Sequence, residues 1–431
     1  MRARSAFGGD FALLFAVMLT IAAGNTALQS VLPALGRSLH VADGAVALCF
    51  SASALLWVIA APIWAKRSDT HGRRTMILTG IGGYVVSLGA CGLFLAAGIN
   101  GWIAGATAFV LFIVGRLIYG AFGSASPPAV QALVAGNTER EERTRALTLL
   151  ASATGLGTIL GPAIAPFLTL GWIGPVEIGL AGPAFVASAF GLVMLLAVRA
   201  RLPRDAGLRL GHGAAMSYPS IGGQATGASI VAATADRHEP IGYRDPRVRG
   251  WLLVGLVMGH AQAMTGQVVG FLVIDRLHLA PALALHPTGL VLMMGAGAAL
   301  LVQWGLIPLL GMRPRALVLT GLMLAAAGTA LTGVATSLYG IALAYALASM
   351  GFGFTRPGFT AGASLAVGPA AQGSVAGKVT SINGASFVLG PSIGVALYEA
   401  NHTLPYLCAG AACLVTGAAA WRGLRDGAPN R

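Results

Sequence analysis

Charge is scarce in this sequence. Charged residues make up 10% of its 431 positions and apolar residues 56%, against roughly 25% charged in an ordinary soluble protein. That is too little charge to coat a soluble surface of this size, and the mean hydropathy of +0.77 agrees. Acids are scarcer than bases, 14 against 27. None lies well inside an apolar run: Asp10, Asp43, Asp275 and Glu399 sit at run ends, and Glu177 in a connection. The four cysteines (Cys49, Cys91, Cys408 and Cys413) fall in apolar segments without metal-ligand spacing. A disulfide framework or a metal cluster is thereby set aside, leaving buried packing as their role. No Gly-rich loop ends in Lys-Ser/Thr, and no nucleophile stands with a base. ATP drive and enzymatic catalysis are therefore not expected, nor is any cofactor or metal.

What the chain has in quantity is long apolar runs. They lie near 10–36, 44–65, 75–98, 101–124, 145–170, 179–198, 250–275, 287–310, 315–335, 338–364, 378–399 and 403–421. A helix crossing a hydrocarbon core of about 30 Å needs roughly 20 apolar residues, so the runs predict twelve membrane-spanning helices. Gly and Pro within them are tolerated in such helices. The strict alternation of a membrane β-barrel is missing. The first run follows Arg2 and Arg4 but is too long for a signal peptide and has no clear cleavage site, which predicts an uncleaved first span.

The bases sort by side. With a cytoplasmic N-terminus, only Arg37 and Arg276 of the 27 fall in outer segments, Arg116 and Arg356 fall inside runs, and all others lie on the inner side. The positive-inside rule thus predicts both termini in the cytoplasm. It also accounts for the net charge of +13 without a nucleic-acid partner. Trp64, Trp102, Trp172, Trp251 and Trp421 lie near run ends, as interfacial belts require. The one long connection, rich in Gly, Ala, Ser and Arg, suggests three parts: a bundle over 1–199, a cytoplasmic linker over 200–249, and a second bundle over 250–431. The linker's end, Tyr243–Arg249, reads either as a short surface helix or as flexible chain.

The two halves resemble each other. Arg74–Gly80 (RTMILTG) opens the third run and Arg315–Gly321 (RALVLTG) the ninth. Leu160–Pro162 and Leu389–Pro391 repeat LGP, and Pro128 pairs with Pro357 at the same separation. Two parallel six-helix halves with a solute site near the midplane are a transporter pattern.

Three motifs carry a family resemblance. Ala65–Arg74 (AKRSDTHGRR) joins the second and third runs. Its bases alone would serve topology, but the loop resembles the signature of the major facilitator superfamily through Asp69, Gly72, Arg73 and Arg74. Ala65 stands where that family usually has glycine. Gly115–Ala125 (GRLIYGAFGSA) places a charge inside the fourth run. An intramembrane Arg faces a cavity or a partner, or bonds the carbonyls of a neighbouring helix. Arg116 and Gly120 resemble the family's fourth-helix motif, which implies a part in proton transfer. Gly157–Pro166 (GTILGPAIAP) has the Gly-x-x-x-Gly spacing that lets helices approach closely, and a bending proline. Through Gly157, Gly161 and Pro162 it resembles the antiporter motif of drug exporters, with Ala165 and Pro166 replacing the terminal glycines.

The resemblance implies an all-α membrane protein of major facilitator fold, twelve helices in two pseudo-symmetric six-helix bundles. It is similar to the twelve-helix drug:proton antiporters, in particular the tetracycline-exporter-like branch linked to multidrug resistance. It implies a monomer in the inner membrane whose partners are protons, a small-molecule substrate and the lipid bilayer. Asp69, Gly72, Arg73, Arg74, Gly157, Gly161 and Pro162 are expected to gate the conformational change. Unlike many relatives, the first run has Asn25, Thr26, Gln29 and Ser30 but no acid. A cationic drug then lacks a buried counter-charge, so a neutral, zwitterionic or anionic solute is expected, with Arg356 as its partner or as a structural charge at the Pro357 bend. Coupling candidates are Arg116 with Asp69, and His260, which also fits plain packing. Asn25, Gln29, Gln262, Gln267 and Asn383 either line the cavity or hold helices together. Two other functions stay open: proton-coupled import of an organic anion, and a non-transporting membrane sensor.

Overall fold

The computed structural model describes residues 9–138, 140–203, 218–220 and 239–425. Among them are twelve helices long and apolar enough to cross a membrane. They are α1 (Asp10–Ser38), α2 (Asp43–Ser68), α3 (Arg73–Ile99), α4 (Gly105–Asn137), α5 (Glu142–Leu168) and α6 (Gly182–Arg201). After the long connection come α7 (Arg249–Leu277), α8 (Pro281–Leu310), α9 (Pro314–Val334), α10 (Leu338–Leu365), α11 (Gln372–Ala400) and α12 (Leu404–Gly423).

Three helices depart from a single regular span with the expected bounds. α4 does not stop near 124. A 3₁₀ turn at Gly123–Ala125 carries it into a second helical stretch, Ser126–Asn137. Pro127 and Pro128 open that stretch, where a missing backbone donor costs nothing. α8 contains a π turn at Leu301–Leu306. Pro308 follows, and a wide turn spares the carbonyl four residues back from its ring. α11 starts at Gln372, before Lys378, whose ammonium sits 4.7 Å from the Tyr243 ring centroid in a cation–π contact.

Between α5 and α6 lies a hairpin that the sequence did not suggest. β1 (Leu170–Ile173) pairs antiparallel with β2 (Val176–Gly179), Trp172 opposite Glu177. Gly174 at φ +60° precedes Pro175, the arrangement of a tight hairpin turn with glycine first. Asn100 ties the hairpin to the end of α3: its Nδ2 donates to the Glu177 carbonyl at 2.8 Å, and its Oδ1 accepts from the Glu177 amide at 2.9 Å. The stretch before α7 is a turn rather than a helix. The Asp245 carboxylate accepts from the Arg247 amide at 2.9 Å and from its guanidinium at 2.9 Å. Those hydrogen bonds hold the Asp245 carboxyl below the usual carboxylate range and push Arg247 up.

By its contacts the chain forms two units. The first contains α1, the part of α2 from Ala52 onward, α3 to α6, and Tyr218–Ser220. The second contains Asp43–Ser51 and the described residues from 239 onward.

Each unit is built on the same close approaches. In the first, a Cβ on Gly80 of α3 would lie 2.4 Å from the Ser126 amide nitrogen of α4. In the second, one on Gly321 of α9 would lie 2.2 Å from Thr355 Oγ1 and 2.6 Å from the Gly351 carbonyl of α10. These are the glycines that end the repeated heptapeptides. The arginines of those heptapeptides also act alike. Arg74 donates to the Arg199 carbonyl at the end of α6 at 2.8 Å. Arg315 donates to the Trp421 carbonyl at the end of α12 at 2.7 Å. A cation on the last carbonyls of a helix is favoured by orphan acceptors and the helix dipole.

Candidate functional site

The gating residues fall in two places. Gly72 joins the α2 helical segment to α3 at φ +88°, ψ 143°, a conformation that essentially only glycine adopts. Arg73 beside it is buried, and Arg74 holds α6 as described. The side chain of Asp69 lies outside the described residues.

Gly157 and Gly161 lie on α5 against α1. A Cβ on Gly157 would stand 2.8 Å from the Leu19 carbonyl, and one on Gly161 2.5 Å from the Ala23 carbonyl. Thr26 Oγ1 donates to the Gly157 carbonyl at 3.2 Å. The α5 glycines therefore seat one backbone directly on another. In the second unit Gly394 of α11 meets the Met264 backbone of α7 in the same manner, while Gly390 faces the Ala263 Cβ.

Arg116 of α4 is fully buried. Its Nη2 donates to Asn25 Oδ1 of α1 at 2.6 Å, and to the hydroxyl of Tyr218. Ser53 of α2 donates to the Arg116 carbonyl at 3.1 Å and lies 3.3 Å from the Tyr218 hydroxyl. Asn25 Nδ2 donates in turn to the Pro219 carbonyl. Aromatic rings surround this polar knot. Tyr119 stands under the guanidinium at 4.7 Å, and Trp57 lies 5.3 Å from Tyr119 and 5.6 Å from Tyr218. Desolvating a guanidinium is costly, and charge-assisted hydrogen bonds with cation–π contact offset that cost.

Arg356 of α10 makes a similar knot in the second unit. Its Nη1 donates to Asn383 Oδ1 of α11 at 3.0 Å, and its Nη2 to Gln262 Oε1 of α7. The expected substrate-binding residues thus separate into two groups: Asn25 with Arg116, and Gln262 and Asn383 with Arg356. Gln29 is buried on α1, and Gln267 is buried on α7 with its Oε1 lacking a hydrogen-bond partner among the described residues. His260 is half-buried. Its Nδ1 donates to the Leu256 carbonyl one turn back at 2.8 Å, with Ser386 Oγ at 3.4 Å.

Sequence reasoning missed a set of titratable groups at the far end of α7. The Asp275 carboxylate accepts from the Tyr398 hydroxyl at 2.7 Å and lies 3.8 Å from His402 Nε2. The Tyr398 and His402 rings stack at 4.6 Å. It also missed Ser53, Trp57, Tyr119 and Tyr218. One signal was available for Trp57, which lies deep in the second apolar run rather than at its edge. Of the cysteines, Cys49, Cys91 and Cys413 are buried and Cys408 is half-buried.

The sequence pattern described as Major Facilitator Superfamily matches residues 14–391. Multidrug resistance protein 1 of Bacillus subtilis is 30% identical over 163 residues, 38% of this chain and 37% of that protein. Tetracycline resistance protein, class B, of Escherichia coli is 28% identical over 185 residues, 42% of this chain and 41% of that protein. The chain thus aligns with about two fifths of the length of these curated relatives. Among solved structures, the human organic anion transporter MFSD10 (TETRAN) aligns over 95% of this chain and 98% of its own, with a TM-score of 0.63 at 19% identity. The E. coli xylose transporter XylE, in a partially occluded inward-open conformation, aligns over 96% and 97%, with a TM-score of 0.69 at 12% identity.

Proposed function

The chain belongs to the major facilitator superfamily, and from that premise we propose that it is a secondary active exporter of a small organic solute, neutral to anionic, working by proton antiport with alternating access. It is a multi-pass membrane protein with twelve spans and, like its family, a transporter rather than an enzyme. Under this reading it is a monomer in the plasma membrane with both termini cytoplasmic. The bundles are 1–199 and 250–431, and 200–249 is the cytoplasmic linker.

The observation that carries the solute class is the pair of buried guanidiniums. Arg116 and Arg356 are hydrogen-bonded to amide and hydroxyl oxygens of Asn25, Tyr218, Gln262 and Asn383. A buried guanidinium attracts an anion or an oxygen-rich neutral solute. The direction rests on the resistance proteins among the relatives.

Arginine stays charged in proteins, so Arg116 serves coupling only by attracting a group that does titrate. Asp69 is the candidate for that group beside Arg116; His260 is a separate coupling candidate, and Asp275 is another through its contacts with Tyr398 and His402. Gly72 at the loop and Gly157, Gly161 and Pro162 at the α1–α5 contact are the gating elements of this reading. Gln29 and Gln267 complete the solute-binding set.

Accumulation of labelled organic anions and neutral solutes in cells expressing the chain tests it. Lower accumulation that rises when an uncoupler is added is expected. Uncoupler-sensitive uptake would instead establish proton-coupled import. Asp69→Asn, His260→Ala and Asp275→Asn, compared in the same assay, identify the carrier as the variant whose transport no longer responds to a pH gradient.

For Arg356 a sharper outcome is expected. A hydrogen bond to a charged group contributes roughly 1.5–3 kcal/mol. Arg356→Ala should therefore raise the substrate KM by at least about ten-fold. Transport kinetics in vesicles measure this, and an unchanged KM would leave Arg356 as a tie between α7, α10 and α11.

A further inference from the structure

Tyr218, Pro219 and Ser220 belong to no span, yet all three are buried inside the first unit, Tyr218 and Ser220 at 2% exposure. They come from the connection between α6 and α7. Connecting segments ordinarily run over a surface, because their backbone groups need partners. Here a side chain from such a segment fills a recess among α1, α2 and α4, and the recess fits it in chemical detail. The Tyr218 ring stands edge-on to Trp57 at 5.6 Å and to Tyr119 at 5.8 Å. Its hydroxyl accepts from Arg116 and lies 3.3 Å from Ser53 Oγ and 3.5 Å from Asn25 Oδ1. The following carbonyl, of Pro219, is held by Asn25.

One group in the recess is left over. The Tyr119 hydroxyl is buried and has no hydrogen-bond partner among the described residues. A buried hydroxyl with no partner costs roughly 1–3 kcal/mol. The recess therefore offers more polar capacity than a tyrosine uses. Its complement is an aromatic ring bearing an oxygen function at one end, with a second oxygen welcome beside the guanidinium.

We propose that this recess is a solute subsite for small aromatic molecules carrying a hydroxyl or carboxylate, and that Tyr218 is its tethered occupant, displaced when solute binds. The inference rests on reading the chain as a transporter of neutral to anionic solutes, and it names the solute class at Arg116. A tethered group competes as an intramolecular ligand, at an effective concentration set by the length and stiffness of its connection. Tyr218 thereby weakens the apparent affinity for solute and keeps the buried guanidinium bonded while the subsite is empty of solute.

The test uses the purified full-length chain in detergent, with 4-hydroxybenzoate and p-cresol as probes and toluene as the control of equal shape. Tyr218→Ala should bind 4-hydroxybenzoate at least ten-fold more tightly than the unaltered chain by equilibrium dialysis. Tyr218→Phe, which keeps the ring and loses the hydroxyl, should gain roughly three-fold, and it serves if the alanine variant fails to fold. Toluene should bind at least ten-fold more weakly than p-cresol in Tyr218→Ala. In the unaltered chain, saturating 4-hydroxybenzoate should speed hydrogen–deuterium exchange in the peptide containing Tyr218 and Ser220. Equal affinities with and without Tyr218, toluene matching p-cresol, no binding of either probe, or exchange unchanged at saturation would each overturn the proposal. A chain that binds 4-hydroxybenzoate in this way but exports no solute from cells keeps the subsite and loses the export reading. Export without the Tyr218 effect removes only the subsite.

Discussion

Gly161→Val should cost the protein several degrees of melting temperature, and its transport, while Gly155→Ala on the same helix should cost nothing. The contrast follows from what a side chain would meet. At Gly161 a Cβ would stand 2.1 Å from Thr26 Oγ1, 2.5 Å from the Ala23 carbonyl oxygen and 2.7 Å from the Ala27 nitrogen. Two of these are backbone atoms of α1, which cannot rotate aside as a side-chain tip can. α5 must then move bodily away from α1. That displaces Asn25 on α1 from Arg116 on α4, because their 2.6 Å bond has little slack. Overpacking of this kind costs typically about 1–3 kcal/mol and occasionally more. At Gly155 a Cβ meets nothing within 4 Å, and alanine gains about 0.5–1 kcal/mol of helix preference over glycine. Thermal unfolding of both variants in detergent, read with transport in vesicles, decides the matter. Equal melting temperatures for the two would mean that the α1–α5 approach carries no packing constraint.

That approach was legible in the sequence, because glycines four apart declare a close helix contact without naming the neighbour. The structure supplied the neighbour, α1. The repeat was legible for a similar reason. Gly80 and Gly321 end matching heptapeptides, and each admits the backbone of the next helix. Arg74 and Arg315 open those heptapeptides and each caps the last helix of its half. A sequence repeat preserved a contact, not merely a composition. The continuation of α4 through Pro127 and Pro128 was not legible, since adjacent prolines read equally well as a stop and as a fresh first turn. The hairpin at Leu170–Gly179 left a usable signal in Gly174-Pro175 between Trp172-Ile173 and Val176-Glu177-Ile178. Its strands are so short that they read as the fringes of two apolar runs.

The Arg116 site was half legible. A lone charge in an apolar run advertises itself, and Asn25 was visible as a polar residue on the first span. Tyr218 was not. It is 193 residues from Asn25 and 102 from Arg116, and no periodicity links a Gly- and Ser-rich connection to a helix interior. What distinguished it was chemical: Tyr218 and Tyr243 are the two aromatic residues in 200–249. An aromatic in such a stretch has a larger apolar surface to bury than its neighbours, and a hydroxyl that must be satisfied wherever it goes.

Arg116→Leu should separate function from stability in the direction opposite to Gly161→Val. Removing the guanidinium takes the 2.6 Å donor from Asn25 Oδ1, which then has the Tyr218 hydroxyl at 3.5 Å as its donor. Asn25 keeps its bond to the Pro219 carbonyl, Tyr218 keeps Ser53 within 3.3 Å, and the Ser53 bond at 3.1 Å goes to the Arg116 backbone carbonyl, which leucine retains. Replacing a buried charge by an apolar side chain is often neutral or stabilising, since the desolvation cost of the ion disappears with it. The melting temperature should therefore stay within a few degrees of the unaltered protein. Transport should fall at least about ten-fold, because the charge-assisted bonds that a solute oxygen would take over are worth roughly 1.5–3 kcal/mol each. Arg116→Lys should restore little of it. Nη2 of Arg116 alone makes both bonds, to Asn25 and to Tyr218, and it is placed there by a planar group lying over the Tyr119 ring; an ammonium on its shorter stem lacks that plane and does not bring its donor to the same point. Vesicle transport with a parallel melting curve tests both variants. Full transport by Arg116→Leu would show the guanidinium to be a packing residue; a collapse in its melting temperature would show that the charge holds α1, α2 and α4 together.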